Sequence, residues 1–175
     1  MSPGSHTALT GELPAPEPEP AEPGVVRSWH VSDAFSEGEL VSDVLDPGFA
    51  GARTWTRLSA EPSGLADLAR VSGIRDGRNA VFARVGVTAD ANRPARLEFG
   101  YSDRVVVYLN GRPLYRGSAG YRSRDYRFLG SIGYHDAIYL PLQEGENQLV
   151  IGVAEDFGGW GLQARFTDPA GLLVG

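Results

Sequence analysis

Between Tyr115 and Arg127 the chain gathers Tyr115, Arg116, Tyr121, Arg122, Arg124, Asp125, Tyr126 and Arg127, its densest mixture of aromatic and charged side chains. A tyrosine ring offers a flat apolar face, and arginine and aspartate offer directional hydrogen bonds, so this set suits stacking on a flat polar partner. A structural alternative stands beside it: alternate residues of a strand over 122–129 would point inward, with the arginines paired to Asp103, Asp125 or Asp136. A second aromatic site is Trp160, in the glycine-rich segment Asp156-Phe-Gly-Gly-Trp160. There the indole would serve either as an exposed stacking platform or as a lid over one end of a core. Trp29 and Trp55 read as core residues.

Reactive chemistry has weaker support. His30 and His135 lie far apart and His6 sits near the N-terminus, with no HExxH or comparable spacing to bring them together with Asp33 or Asp136. Tyr134-His135-Asp136 is the nearest approach to a base with an orienting partner. Ser102 and Ser118 lack the G-x-S-x-G elbow, and no phosphate-cradling glycine motif is present. No spacing singles out a carboxylate pair for glycoside hydrolysis. The expectation is a noncatalytic protein, with no catalytic residue and no metal ligand assigned.

The elements that position these residues read as strands. Residues 105–109 are β-branched and aromatic, and Asn110-Gly111 follows them. That pair takes up the two positive φ angles of a type I′ turn at low cost, which predicts a hairpin with Leu109 opposite Arg112, Tyr108 opposite Pro113 and Val107 opposite Leu114. Pro113 cannot donate to a ladder, so the return strand belongs at an edge. Both faces of 105–109 are apolar, one for a core and one for a covering loop.

Alternation predicts further strands over 25–35, 52–60, 79–89, 96–101, 137–142, 148–154 and 162–166, with 79–89 and 96–101 pairing across the short connection 90–94. Residues 64–70 predict two turns of helix capped by Ser63, and residues 37–44 a short helical turn. Seven to nine short strands with frequent turns specify an antiparallel β-sandwich or jelly roll.

Composition sets the outer limits. The chain has 175 residues, 42% of them hydrophobic, with 23 glycines, 12 prolines and no cysteine. One domain with a sufficient core fits this, without disulfide or zinc-thiolate support. Residues 14–24, PAPEPEPAEPG, alternate proline with glutamate and read as an extended tail or linker, dividing the chain into a disordered tail over 1–24 and a sandwich domain over 25–175. Net charge is −6, but four acids lie in residues 1–24, leaving 18 acids against 16 arginines. No global field therefore favours nucleic acid or an anionic membrane. Residues 1–14 lack the basic start and apolar run of a secretory signal, and no stretch approaches the about 20 apolar residues of a membrane span. Compartment stays open between the cytoplasm and export within a longer product.

The stretches Val81-Phe-Ala-Arg84, Leu97-Glu-Phe-Gly-Tyr-Ser-Asp103, Val107-Tyr-Leu-Asn-Gly-Arg112, Leu142-Gln-Glu-Gly-Glu-Asn147 and Gly158-Gly-Trp-Gly161 together resemble the galactose-binding-like jelly-roll family. That family includes carbohydrate-binding modules and accessory β domains of glycoside hydrolases, and the resemblance spans residues 29–168. It implies a saccharide ligand or a neighbouring protein domain as partner. The expected ligand-contacting residues are Tyr101, Asp103, Tyr121, Arg122, Arg124, Asp125, Tyr126 and Trp160. Many members hold a structural calcium; no calcium motif is matched here, and no other cofactor is implied.

Overall fold

The computed structural model describes residues 22–41, 43–73, 77–119, 132–156 and 159–175. The proline-glutamate stretch up to residue 21 lies outside them.

Among the described residues eleven strands form two antiparallel sheets: β1 Ser28–Ser32, β2 Trp55–Ser59, β3 Ala66–Asp67, β4 Ala80–Ala89, β5 Arg93–Tyr101, β6 Arg104–Leu109, β7 Arg112–Ser118, β8 Asp136–Leu142, β9 Gly145–Ala154, β10 Gly161–Phe166 and β11 Leu172–Val174. The larger sheet runs β2-β1-β4-β9-β6-β7, with β11 also on β4, and the smaller runs β3-β10-β5-β8. Their inner faces interleave Trp29, Val85, Leu97, Phe99, Val107, Ile151, Trp160 and Phe166 in one apolar core. The antiparallel β-sandwich expected from the alternating runs is the fold observed.

β4 and β9 are the spine, paired over all ten residues from Ala80↔Ala154 to Ala89↔Gly145. Over 80–83 of β4 and 149–154 of β9 both faces are buried, because the sheet's outer surface carries a second core there: Phe82, Val106, Tyr108 and Val150 lie beneath Phe35, Leu40 and Leu45. The covering chain includes a 3-10 turn, Glu37–Glu39, and a short helix, α1, Pro47–Gly51. Asp46 caps α1 by accepting from Gly48 N, and Pro47 opens it with a preset φ. Phe35 packs on Phe82 with ring centroids 4.6 Å apart and edge-on to Phe49 at 5.2 Å. The two-faced apolarity of β6 thus has the two causes its sequence implied.

The Asn110-Gly111 turn has φ of 50° and 79°, and β7 is an edge strand, as Pro113 requires. Leu109↔Arg112 and Tyr108↔Pro113 pair as expected, but a bulge then places Val107 opposite Tyr115 instead of Leu114. Two residues face one at that point, which turns the Tyr115 ring toward the core, edge-on to Phe99 at 5.3 Å.

Two further expectations need correction. β4 and β5 do not pair: the connection carries the chain from one sheet to the other, so they face each other across the core. Their chemistry explains it, since β4 is buried on both faces over residues 80–83 and belongs mid-sheet, whereas β5 turns Arg96 and Glu98 outward on a sheet with one exposed face. Residues 64–70 are not a two-turn helix. Ala66 and Asp67 instead pair with Leu162 and Gly161, and only Leu68–Arg70 makes a 3-10 turn, capped by Asp67. Ladder bonds to β10 outweigh a weak local helix preference.

Candidate functional site

β5 ends at Tyr101 and β6 begins at Arg104, so Ser102 and Asp103 make the whole turn between two sheets. The Ser102-Asp103 peptide is cis. The turn is bound to neighbours on both sides: Ser102 N donates to Gly161 O (3.2 Å) and Asp103 N to Ala154 O (2.8 Å). The end of β9 lies against it. Ser102 Oγ donates to Glu155 Oε2 (2.7 Å), and Asp156 N donates to Asp103 Oδ2 (3.1 Å).

Arg104 completes the cluster. Its guanidinium holds both oxygens of Glu37 on one side and both of Asp156 on the other, the latter at 2.6 and 2.7 Å. Asn79 bridges Glu37 Oε2 and Glu155 O, at 3.2 Å each. Bidentate charge-assisted bonds of this kind fix geometry as well as adding energy. The hydrogen bonds from Arg104 hold the Glu37 and Asp156 carboxyls below the ordinary carboxylate range, and the Asp156 and Glu37 bonds push the guanidinium still further up.

A pH dependence follows. Carboxyls whose pKa is lower in the folded than in the unfolded chain contribute stability above their unfolded values, and that contribution is lost as the pH falls below about 4. Thermal melts of the wild type and Arg104→Gln from pH 7 to pH 3 are expected to differ most at neutral pH and to converge in acid. An equal gap at both ends would remove Arg104 as the cause. Both carboxylates are partly solvated, so the expected gap is modest.

This polar end is also where the aromatic and arginine segment departs and returns. Ala119 N donates to Asp103 O at 2.6 Å. On the other side, Ile132 lies so close to Gly161 that a Cβ there would sit 2.4 Å from its Cδ1, and Gly133 covers Gly100, where a Cβ would stand 1.6 Å from the Gly133 carbonyl oxygen. The glycines at 100 and 161 therefore permit the return crossing.

The expected ligand-contacting residues divide three ways. Asp103 is part of the polar cluster. Tyr101 and Trp160 are core residues, 3% and 1% exposed, Tyr101 stacked on Phe99 at 5.9 Å and the Trp160 indole donating to Val153 O at 3.3 Å. Neither presents a ring face to solvent; alternation turns both inward, and the lid alternative for Trp160 is the one observed. Tyr121, Arg122, Arg124, Asp125 and Tyr126 lie outside the described residues.

Sequence reasoning missed Glu37, Asn79, Arg104 and Glu155 as neighbours of Asp103. Glu155 left a legible signal, because it continues the inward phase of Leu149, Ile151 and Val153 and is fully buried. The other three come from separate loops and strands. Of the histidines, His30 is exposed in the larger sheet, while His135 leads into the smaller one. Among the described residues no group of three or more His, Asp or Glu side chains is arranged to hold a metal ion, and no helix is long and apolar enough to cross a membrane.

No family model matches the chain, and no curated protein matches it. Among solved structures it is similar to a family 35 carbohydrate-binding module from an environmental isolate, with 15% identity, a TM-score of 0.38, and coverage of 54% of this chain and 70% of that one. A family 35 module from Clostridium thermocellum is also similar, with 15% identity, a TM-score of 0.34 and coverage of 49% and 70%. A GH2 β-galacturonidase from Eisenbergiella tayi aligns at 14% identity with a TM-score of 0.44, over 79% of this chain but only 23% of that enzyme.

Proposed function

We propose that the chain is a noncatalytic β-sandwich module that binds a saccharide at the Asp103 end of the sandwich, and so orients a catalytic neighbour on its substrate. The observation that supports this reading is the anchoring of both sides of segment 120–131, through Ala119 and Ile132, beside the polar cluster of Ser102, Asp103 and Asp156. Sugars expose apolar C–H faces and vicinal hydroxyls. Tyr121 and Tyr126 supply rings for the first, while Arg122, Arg124, Asp125 and the Asp103 carboxylate serve the second.

A glycan-array screen of the full chain tests it, with Tyr121→Ala/Arg124→Ala/Tyr126→Ala as the paired variant. Two lost stacking contacts and one lost charge-assisted hydrogen bond together predict at least a tenfold weaker affinity, with the melting temperature unchanged. A wild type retained by no glycan would overturn the reading. One observation favours a protein-docking role in that event: Tyr139 is 68% exposed on edge strand β8, on the face that also carries Ala137 and Pro141.

A further inference from the structure

Half of the larger sheet's outer face carries the second core, and the other half is bare. Across that bare half runs a row of three basic side chains on neighbouring strands, Arg57 of β2 opposite His30 of β1, and His30 opposite Arg84 of β4. Residues directly opposite in antiparallel strands stand about 5 Å apart at Cβ. Among the described residues none of the three makes an ion pair, and Arg57 Nε donates to Ser28 Oγ at 3.0 Å. Along the β4–β9 ladder Arg84 faces Val150, and Glu146 comes in only opposite Thr88, four residues away or about 13 Å.

The row is shaped as well as charged. The Arg84 guanidinium lies 3.8 Å from the Trp55 ring centroid. An arginine stacked on an indole is held in one plane, and its N–H fork stays available at the edge for two parallel bonds to a carboxylate or sulfate. Beside it Gly86 carries no side chain, and a groove of about 490 Å³ opens there, bordered by Asn110, Glu146, Gln148 and Gly175. The Gln148 amide is suited to the hydroxyls of a sugar ring, whereas the Asn110 amide is held by Asn147 Oδ1 and Gln148 N.

We propose that this row forms a second saccharide contact, separate from the Asp103 end, that selects polysaccharides bearing carboxylate or sulfate groups. The inference rests on the saccharide-binding reading above and adds the charge class of the ligand. Two arginines and a histidine are few for a nucleic acid, whose nonspecific affinity comes from many phosphate contacts.

The test is affinity electrophoresis of the full chain in gels containing alginate, dextran sulfate or unmodified dextran, with a short DNA duplex as a solution competitor. Retardation by alginate identifies carboxylate recognition and retardation by dextran sulfate identifies sulfate recognition; either supports the site, provided that plain dextran does not retard the chain and that added salt weakens binding. Arg57→Gln/His30→Gln leaves the Arg84–Trp55 stack intact and is expected to lower the affinity at least tenfold. Arg84→Gln should do the same, and the Tyr121/Arg124/Tyr126 variant should not. Equal retardation by plain dextran, full competition by DNA, or wild-type affinity in the double variant would overturn the proposal. Binding to neutral glycans alone would overturn it while leaving the saccharide-binding reading in place, whereas no binding to any glycan would remove both.

Discussion

Trp160→Ala is expected to destabilise the protein by about 3–5 kcal/mol, the cost of emptying a fully buried indole site. On a domain of this size that lowers the melting temperature by roughly 10 °C or more. The ring is 1% exposed and belongs to the core between the sheets. Its indole N–H donates to Val153 O, and its backbone carbonyl accepts from Leu68 N at 2.9 Å, tying the 3-10 turn Leu68–Arg70 to the start of β10. Trp160→Phe retains most of the apolar volume and should cost less than half as much. Chemical denaturation of both variants checks the ranking, and an alanine variant melting within about 2 °C of wild type would return Trp160 to the surface. A loss of ligand binding in Trp160→Ala therefore reports unfolding. Substitutions at Tyr121, Arg124 and Tyr126 separate binding from stability.

A loss of about 3 kcal/mol is expected for Asn147→Ala, a cost set by unsatisfied polar groups rather than lost volume. Asn147 is buried where the chain turns from β8 into β9. Its Nδ2 donates to Gln143 O (2.8 Å), Gly145 O (3.1 Å) and Val87 O (3.2 Å), and its Oδ1 accepts from Gln143 N (3.0 Å) and Asn110 Nδ2 (3.1 Å). One amide thus closes its own turn, touches the spine strand β4 and steadies the Asn110-Gly111 hairpin. Alanine leaves buried carbonyls and an N–H without partners. The exposed neighbour Glu146→Ala should stay within about 0.5 kcal/mol. Equal melting curves for the two variants would show the network to be dispensable.

Asn147 also shows why much of the fold was legible. The Gly-x-Asn turn at Gly145 and the Asn-Gly pair at 110–111 are local devices, in which φ above zero or a side-chain-to-backbone bond demands a particular residue. The alternating runs over β4, β5, β8, β9 and β10 are similarly local, because a period of two needs only a core on one side. Errors arose where a choice depended on something distant. Residues 64–70 carry a weak helical pattern that pairing to β10 overrides, and the pairing of β4 with β9 instead of β5 depends on the loop over 33–51 covering the outer face.

The β-sandwich class, the strand phases, the hairpin turn and the edge position of Pro113 could be read from the residues alone, since each follows from backbone and side-chain preferences within a few positions. The burial of Trp160 and Tyr101, the meeting of Asp103 with Glu37, Arg104, Glu155 and Asp156, and the row of Arg57, His30 and Arg84 emerge with the packed sheets. Those outcomes depend on which strands lie side by side, and strand order in a sheet is set by burial summed over the whole molecule, which no short window of sequence contains.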